Sequence, residues 1–365
     1  MSYPTNYIQE PGILKISGAQ IKKIGKQPLI ISGRKAWEKA GKLIDESFVQ
    51  EGLNYDLEMF AGHCSEEEFN RLLESIKDEF DVLVGVGGGQ CMDMCKLIAN
   101  HLAIPVVTIP TLASTCAASS ALSIIYTPEH EFVRMVTFEE CPIFTLVDTN
   151  IILDAPVRYL TSGIADTLVK WYEATPINEG KYKNARTRAG LKIAELIKEI
   201  LFESSEGAIS EIINKKSGQA LQEVIDCNIF LGGLVGGIGS ETCHGSGAHA
   251  IHYGLTIIPE FRKAYHGELV GYGLLCQLYL EGKVNEEFYQ LMKLYKSIDL
   301  PLSLFDLGWK EVRNADLQRA AKIIFDEQDS IHLLPVPLTE EKIYESLIET
   351  HNLAESFKND SLTIR

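Results

Sequence analysis

The chain of 365 residues is longer than one hydrophobic core usually organises, and its 45% hydrophobic and 23% charged content suits a globular protein of two domains. A formal net charge of −16 and a pI near 5.1 repel phosphate backbones and anionic lipid, so nucleic acid and membrane are excluded as expected partners and a small molecule is left. With no apolar leader, no run near about 18 apolar residues and eight scattered cysteines lacking a CxxC pair, the sequence predicts a cytoplasmic enzyme with reduced thiols.

The first part alternates short β-rich runs with helical stretches. Gln27–Ile31 reads as a strand, followed by a helix over Lys35–Val49 and a weaker strand over Leu57–Ala61. Ser65 and Glu68 have capping-box spacing and open a helix to about Glu79. Asp81–Val86 is a buried strand, and Gly87-Gly88-Gly89 then leads into a helix ending near His101. Ile104–Ile109 and Ile143–Asp148 are further buried strands. Between them, Leu122–Thr127 and Glu131–Thr137 flank a turn at residues 128–130 and read as an inserted hairpin. Strands alternating with helices predict a Rossmann-like parallel sheet over residues 1–153.

From about Asp154 helical periodicity takes over, in Tyr159–Ala174, Tyr182–Phe202, Ala208–Leu234, Leu269–Glu281 and Glu286–Lys296, with a polar tail from Asn352. The fold class is therefore α/β plus all-α. A dinucleotide-binding domain occupies 1–153 and a helical, metal-binding domain 154–365.

Two constellations carry chemistry. Gly87, Gly88 and Gly89 lie between a buried strand and a helix, where the backbone approaches a ligand closely and the helix N-terminus offers N–H groups to a pyrophosphate. Gly33, Arg34 and Lys35 end the first strand without a carboxylate. An acidic residue there would hold the ribose of NAD, whereas arginine suits the 2′-phosphate of NADP, so NADP is favoured over NAD. The second constellation is Asp166 in GIADT, His249 and His252 in GAHAIH, and His266 in YHGE. An aspartate with two histidines forms a three-ligand set for one divalent ion, Zn²⁺ or Fe²⁺, with positions left open for substrate.

The runs Gly85–Lys96, Ile109–Thr115, Gly163–Ala174, His249–Thr256 and Tyr265–Glu268 resemble the iron-containing alcohol dehydrogenase superfamily, in the glycerol dehydrogenase-like branch. Ala113–Ala118, Lys170–Ala174 and Ser330-Ile331-His332 are most similar to bacterial hydroxycarboxylate dehydrogenases. The resemblance implies a dehydroquinate synthase-like fold, a homo-oligomer, and Asp166, His249 and His266 as the metal ligands. It places Gly87, Gly88, Gly89, Asp93, Thr111, Ser114, Ser120, Leu122 and Tyr126 along the nicotinamide cofactor, whose reactive ring is expected in a cleft between the two domains.

Two departures bear on substrate. Glycerol dehydrogenases carry an aspartate where this chain has Cys116, a change that removes repulsion of an anionic substrate on the order of a few kcal/mol. Lys170 follows Asp166 by one helical turn, where some iron-dependent relatives have a histidine ligand, and its ammonium is placed to anchor a carboxylate. The expected reaction interconverts a small 2-oxo acid and its 2-hydroxy acid, with His252 relaying the proton. Glycerol or another vicinal diol is the alternative substrate. A dehydroquinate synthase-like lyase would carry glutamate as first ligand and a basic substrate pocket, which Asp166 and the acidic composition oppose.

Overall fold

The computed structural model describes residues 3, 6–128, 131–181, 183–239 and 241–363. The chain forms two compact units. One runs through Leu160 and takes in Gly207–Ile238; the other comprises Thr161–Glu206 and the chain from Gly239 onward.

The first unit is built on β1 (Asn6–Glu10), α1 (Ser17–Ile21), β2 (Pro28–Gly33), α2 (Arg34–Glu51), β3 (Asp56–Phe60), α3 (Glu66–Ser75), β4 (Val82–Gly87), α4 (Gly89–Leu102), β5 (Val106–Pro110), β6 (Leu122–Tyr126), β7 (Phe132–Thr137) and β8 (Phe144–Asp148). Six of these strands make one sheet in the order β1-β8-β5-β4-β2-β3, with every pair parallel. Strand β4 is buried at all six positions, as the unbroken apolar run of a covered parallel strand requires. From β2 the chain goes to β3 at the sheet edge and returns to β4 on the other side of β2, so the strand order reverses between β2 and β4. Ligands of open parallel sheets bind at such a reversal, outside the carboxyl ends of the strands. Strands β6 and β7 form a separate antiparallel pair, and Glu129 and His130 of the expected turn lie outside the described residues.

Several sequence expectations shift. Strand β1 is not foreseen, because its residues NYIQE carry no apolar pattern; it is an edge strand whose ladder pairing comes from β8. Ser65 caps α3 by accepting the Glu68 amide, but the Glu68 carboxylate bonds the Ala61 amide and Arg71 rather than closing the capping box, and the helix ends at Ser75.

After α5 (Thr149–Leu153) come α6 (Val157–Asn178), α7 (Ala185–Ile213), α8 (Gln219–Ile225), α9 (Gly232–Gly239), α10 (Gly247–Leu255), α11 (His266–Leu280), α12 (Glu286–Ser297), α13 (Asn314–Glu327) and α14 (Glu340–Thr363). No strand follows Asp148 among the described residues. The break expected between Phe202 and Ala208 is absent: Ser205 bonds the Leu201 carbonyl along the helix and α7 continues to Ile213, with Lys215 at φ 52° in the turn that ends it. Tyr182, where the sequence reading begins this helix, lies outside the described residues. The tail from Asn352 continues as helix, since α14 buries Ile343, Leu347 and Ala354 on one face.

Residues Gly207–Ile238 return to the sheet unit. Tyr7 stacks on Phe230 at 4.7 Å, and Asn228 donates to the Ala113 carbonyl at 2.9 Å. By length and composition the helical run Gln219–Gly239 suffices to cross a membrane; here Ile225, Ile229 and Val235 are buried in the sheet unit and Asn228 spends its amide on the loop it supports. Each unit has its own apolar core, around Ile30, Val84 and Leu146 in the first and around Tyr272, Phe261 and Ile324 in the second.

Candidate metal centre and cofactor cradle

Three helices of the second unit supply the metal constellation. Helix α6 carries Asp166, α10 carries His249, and His266 is the first residue of α11. Asp166 Oδ1 lies 3.4 Å from His249 Nε2 and 3.2 Å from His266 Nε2, and the three atoms fall within 4.8 Å of one another. Donors at about 2.1 Å from a tetrahedral ion are about 3.4 Å apart, so the observed edges match a shared divalent cation. Asp166 Oδ1 is buried and makes no aligned hydrogen bond among the described residues. Such an atom, facing two ring nitrogens, fits a shared cation.

Close helix packing brings the three together. At Gly267, next to His266, a Cβ would fall 1.8 Å from the Ser162 carbonyl oxygen, four residues before Asp166. The Gly267 amide donates to Ser162 Oγ at 3.1 Å. At Gly273 a Cβ would meet the Ala248 carbonyl at 2.4 Å, beside His249. Glycine is required at both contacts because backbone meets backbone. Tyr265 fixes the start of α11 by donating its amide to Glu268 at 2.7 Å.

Burial alone would raise the Asp166 pKa, but His266, His249 and Lys170 hold its carboxyl well below the usual range. Glu173, buried at 1% exposure, is likewise held ionised against its burial by His249 and Lys170. Burial would lower His249, yet Glu173 and Asp166 raise it to about 9. Lys170, half-buried one turn after Asp166, acts electrostatically on all three groups. His252 is buried at 3% exposure with its ring 4.4 Å from that of His266, and burial with both neighbouring histidines pushes its pKa well down. Its Nδ1 makes no hydrogen bond among the described residues. His332 faces the Phe325 carbonyl through Nε2 at 2.8 Å in the turn Asp329–Leu333.

The first unit collects the expected cofactor residues. Gly87 ends β4, pairs with Pro110 of β5, and accepts from the Thr111 amide at 2.9 Å. Side chains at Gly88 and Gly89 would strike Leu112 at 3.0 Å and Thr115 at 2.9 Å, so the glycine turn lies directly against Thr111–Thr115, which includes Ser114. Because Ser32 of β2 pairs with Val86 of β4, Gly33 and the exposed Arg34 and Lys35 at the start of α2 stand beside that turn, at the reversal of strand order. Cys116 is half-buried in the same segment, and its carbonyl accepts from the Ser119 and Ser120 amides.

Asp93 also has a local structural use. Its carboxylate pairs with Lys96 at 3.0 Å and accepts the Ile124 amide at 3.3 Å. Lys96, nearly fully buried, donates to the carbonyls of Ala117, Ser120 and Leu122. The pair ties the segment bearing Ser120, Leu122 and Tyr126 onto α4. Sequence reasoning gives Lys96 only as the end of the run Gly85–Lys96 and assigns no role to Glu173 or Gly267. The signal for Glu173 is its spacing, two helical turns after Asp166 and hence on the same face.

A family model for iron-containing alcohol dehydrogenase matches residues 4–149. The chain is 34% identical to hydroxycarboxylate dehydrogenase A of Escherichia coli over 361 residues, 97% of each chain. It is 33% identical to glycerol dehydrogenase of Thermotoga maritima over 350 residues, 94% of each. Among solved structures, glycerol dehydrogenase from Schizosaccharomyces pombe superposes with a TM-score of 0.91 at 29% identity, covering 99% of this chain and 92% of that one.

Proposed function

The chain belongs to the iron-containing alcohol dehydrogenase family, and from that premise we propose that this oxidoreductase interconverts a small 2-oxo acid and its 2-hydroxy acid. The coenzyme supplies the hydride, and a divalent ion held by Asp166, His249 and His266 supplies Lewis acidity toward the oxygen of the reacting carbon. We read the ion as Zn²⁺ or Fe²⁺ from the mixed nitrogen and oxygen donors.

The observation that carries the substrate reading is Lys170. Asp166 and Glu173 together balance a divalent ion, so a lysine whose field reaches both adds positive potential at the edge of the centre. That potential attracts a carboxylate and does nothing for a neutral polyol. With the substrate carboxylate paired to the Lys170 ammonium, the 2-oxo carbon would be oriented for transfer. Cys116 fits this reading as a neutral side chain in the segment that carries an aspartate in glycerol dehydrogenases.

The test is steady-state reduction with metal-reconstituted protein, using 2-oxobutanoate, 2-oxoglutarate and dihydroxyacetone. Lys170→Ala is expected to lower kcat/KM for the oxo acids about 30-fold, the loss of one charge-assisted hydrogen bond, while changing dihydroxyacetone by less than threefold. A preference for dihydroxyacetone that ignores Lys170→Ala would instead assign a diol substrate.

For the coenzyme we propose NADP over NAD, on the strength of Arg34 at the strand reversal beside the glycine turn. Arg34→Ala should raise the KM for NADPH about tenfold and leave that for NADH within twofold. Equal effects on both coenzymes would remove the argument for a 2′-phosphate contact.

A further inference from the structure

We propose that Glu173 is a positioning residue of the metal centre: it fixes the His249 ring with its proton on Nδ1, so that the Nε2 lone pair faces Asp166 and His266. The inference rests on reading those three residues as metal ligands, and it concerns a residue that makes no contact with the shared point itself.

The two oxygens of Glu173 have separate tasks. Oε1 accepts from the backbone amides of Ser246 at 2.7 Å and His249 at 3.0 Å, at the open N-terminus of α10. Oε2 lies 2.8 Å from His249 Nδ1. An ionised carboxylate only accepts, so the proton of a neutral His249 must sit on Nδ1 and leave Nε2 bare. Nε2 is the atom 3.4 Å from Asp166 Oδ1. Buried in the fold, Glu173 thereby couples the register of α10 to the tautomer of its third residue. A carboxylate behind a ligating imidazole orients the ring and raises its basicity.

Glu173→Gln separates this task from helix capping. The amide oxygen must stay opposite the Ser246 and His249 N–H groups, because an NH2 there would face two donors. The NH2 then replaces Oε2 and donates to His249 Nδ1, which drives the ring proton onto Nε2, the ligand atom. Capping survives while the ligand is blocked.

The experiment is calorimetric titration of the metal-stripped full chain with Zn²⁺, alongside thermal melts of the metal-free proteins. The expected result is wild-type binding at one site, 10- to 100-fold weaker binding by Glu173→Gln, and metal-free melting temperatures that agree. Equal affinities would overturn the proposal and leave the metal site standing, since a residue that only caps α10 is spared by this change. Failure of the wild type to bind would overturn the site and the proposal together. Should the variant not fold, long-range ¹H–¹⁵N spectra of histidine-labelled, metal-free wild type at alkaline pH, where the ring is neutral, decide: the His249 proton on Nδ1 with Nε2 bare supports the proposal, and the proton on Nε2 overturns it.

Discussion

His266→Ala is expected to lower kcat/KM by at least about 10³-fold with every carbonyl substrate while the affinity for NAD(P)H stays within a factor of two. A bound divalent ion contributes several kcal/mol to stabilising charge on a reacting oxygen, and each 1.36 kcal/mol is a factor of about ten. Removing one of three ligands leaves Asp166 and His249, two donors that hold a labile ion poorly. The fold should tolerate the change, because the His266 side chain is 27% exposed and α11 is anchored by Gly267 and the Glu268 contact to the Tyr265 amide. Asp166→Asn should act alike, since an amide brings no charge to the shared point. Metal content by mass spectrometry, coenzyme titration by fluorescence and steady-state rates form the required set. Activity within tenfold of wild type in a metal-depleted His266→Ala protein would mean that no ion takes part, and the proposed chemistry would lose its electrophile.

How much of the fold and of the candidate site is legible in the sequence differs by element, for physical reasons. The glycine turn and its flanking strand are a local pattern: Val82–Val86 is buried throughout, and Gly87-Gly88-Gly89 marks the passage from strand to helix. The edge strand β1 is not local in that sense, as its register comes wholly from β8 across the fold. The Glu203–Gly207 stretch contains poor helix formers, yet α7 runs through them with Ser204, Ser205 and Ala208 buried and Ala220 lying close against Gly207. Tertiary contact overrides propensity there. The proposed metal ligands are suggested by residue type and resemblance, whereas the parts that hold them are not. Glu173 looks like one more polar position on an amphipathic helix until its oxygens are seen on Ser246 and His249. Gly267 looks like an ordinary helix-start glycine until the Ser162 carbonyl is seen against it.

That glycine carries the second large prediction. Gly267→Ala should reduce activity by more than about 10²-fold and lower the melting temperature by several degrees, even though alanine is the better helix former. The propensity gain is about 1 kcal/mol, while a methyl group driven into a packed contact costs about 1–3 kcal/mol or more. Here the obstacle is the backbone oxygen of Ser162, 1.8 Å from the new carbon, so relief requires α11 to move off α6 by more than about 1 Å. His266 travels with its neighbour and leaves the 3.2 Å edge it shares with Asp166. Displacements of about 1 Å at a reacting centre commonly cost a factor near 10². Since the clash is with a main-chain atom, trimming the facing side chain cannot undo it. The double variant Ser162→Gly/Gly267→Ala should remain defective in Zn²⁺ affinity and in rate. Wild-type affinity and melting temperature in Gly267→Ala would show that α11 can shift along α6 without disturbing the ligand set, and the close helix contact would then not be what brings His266 to Asp166.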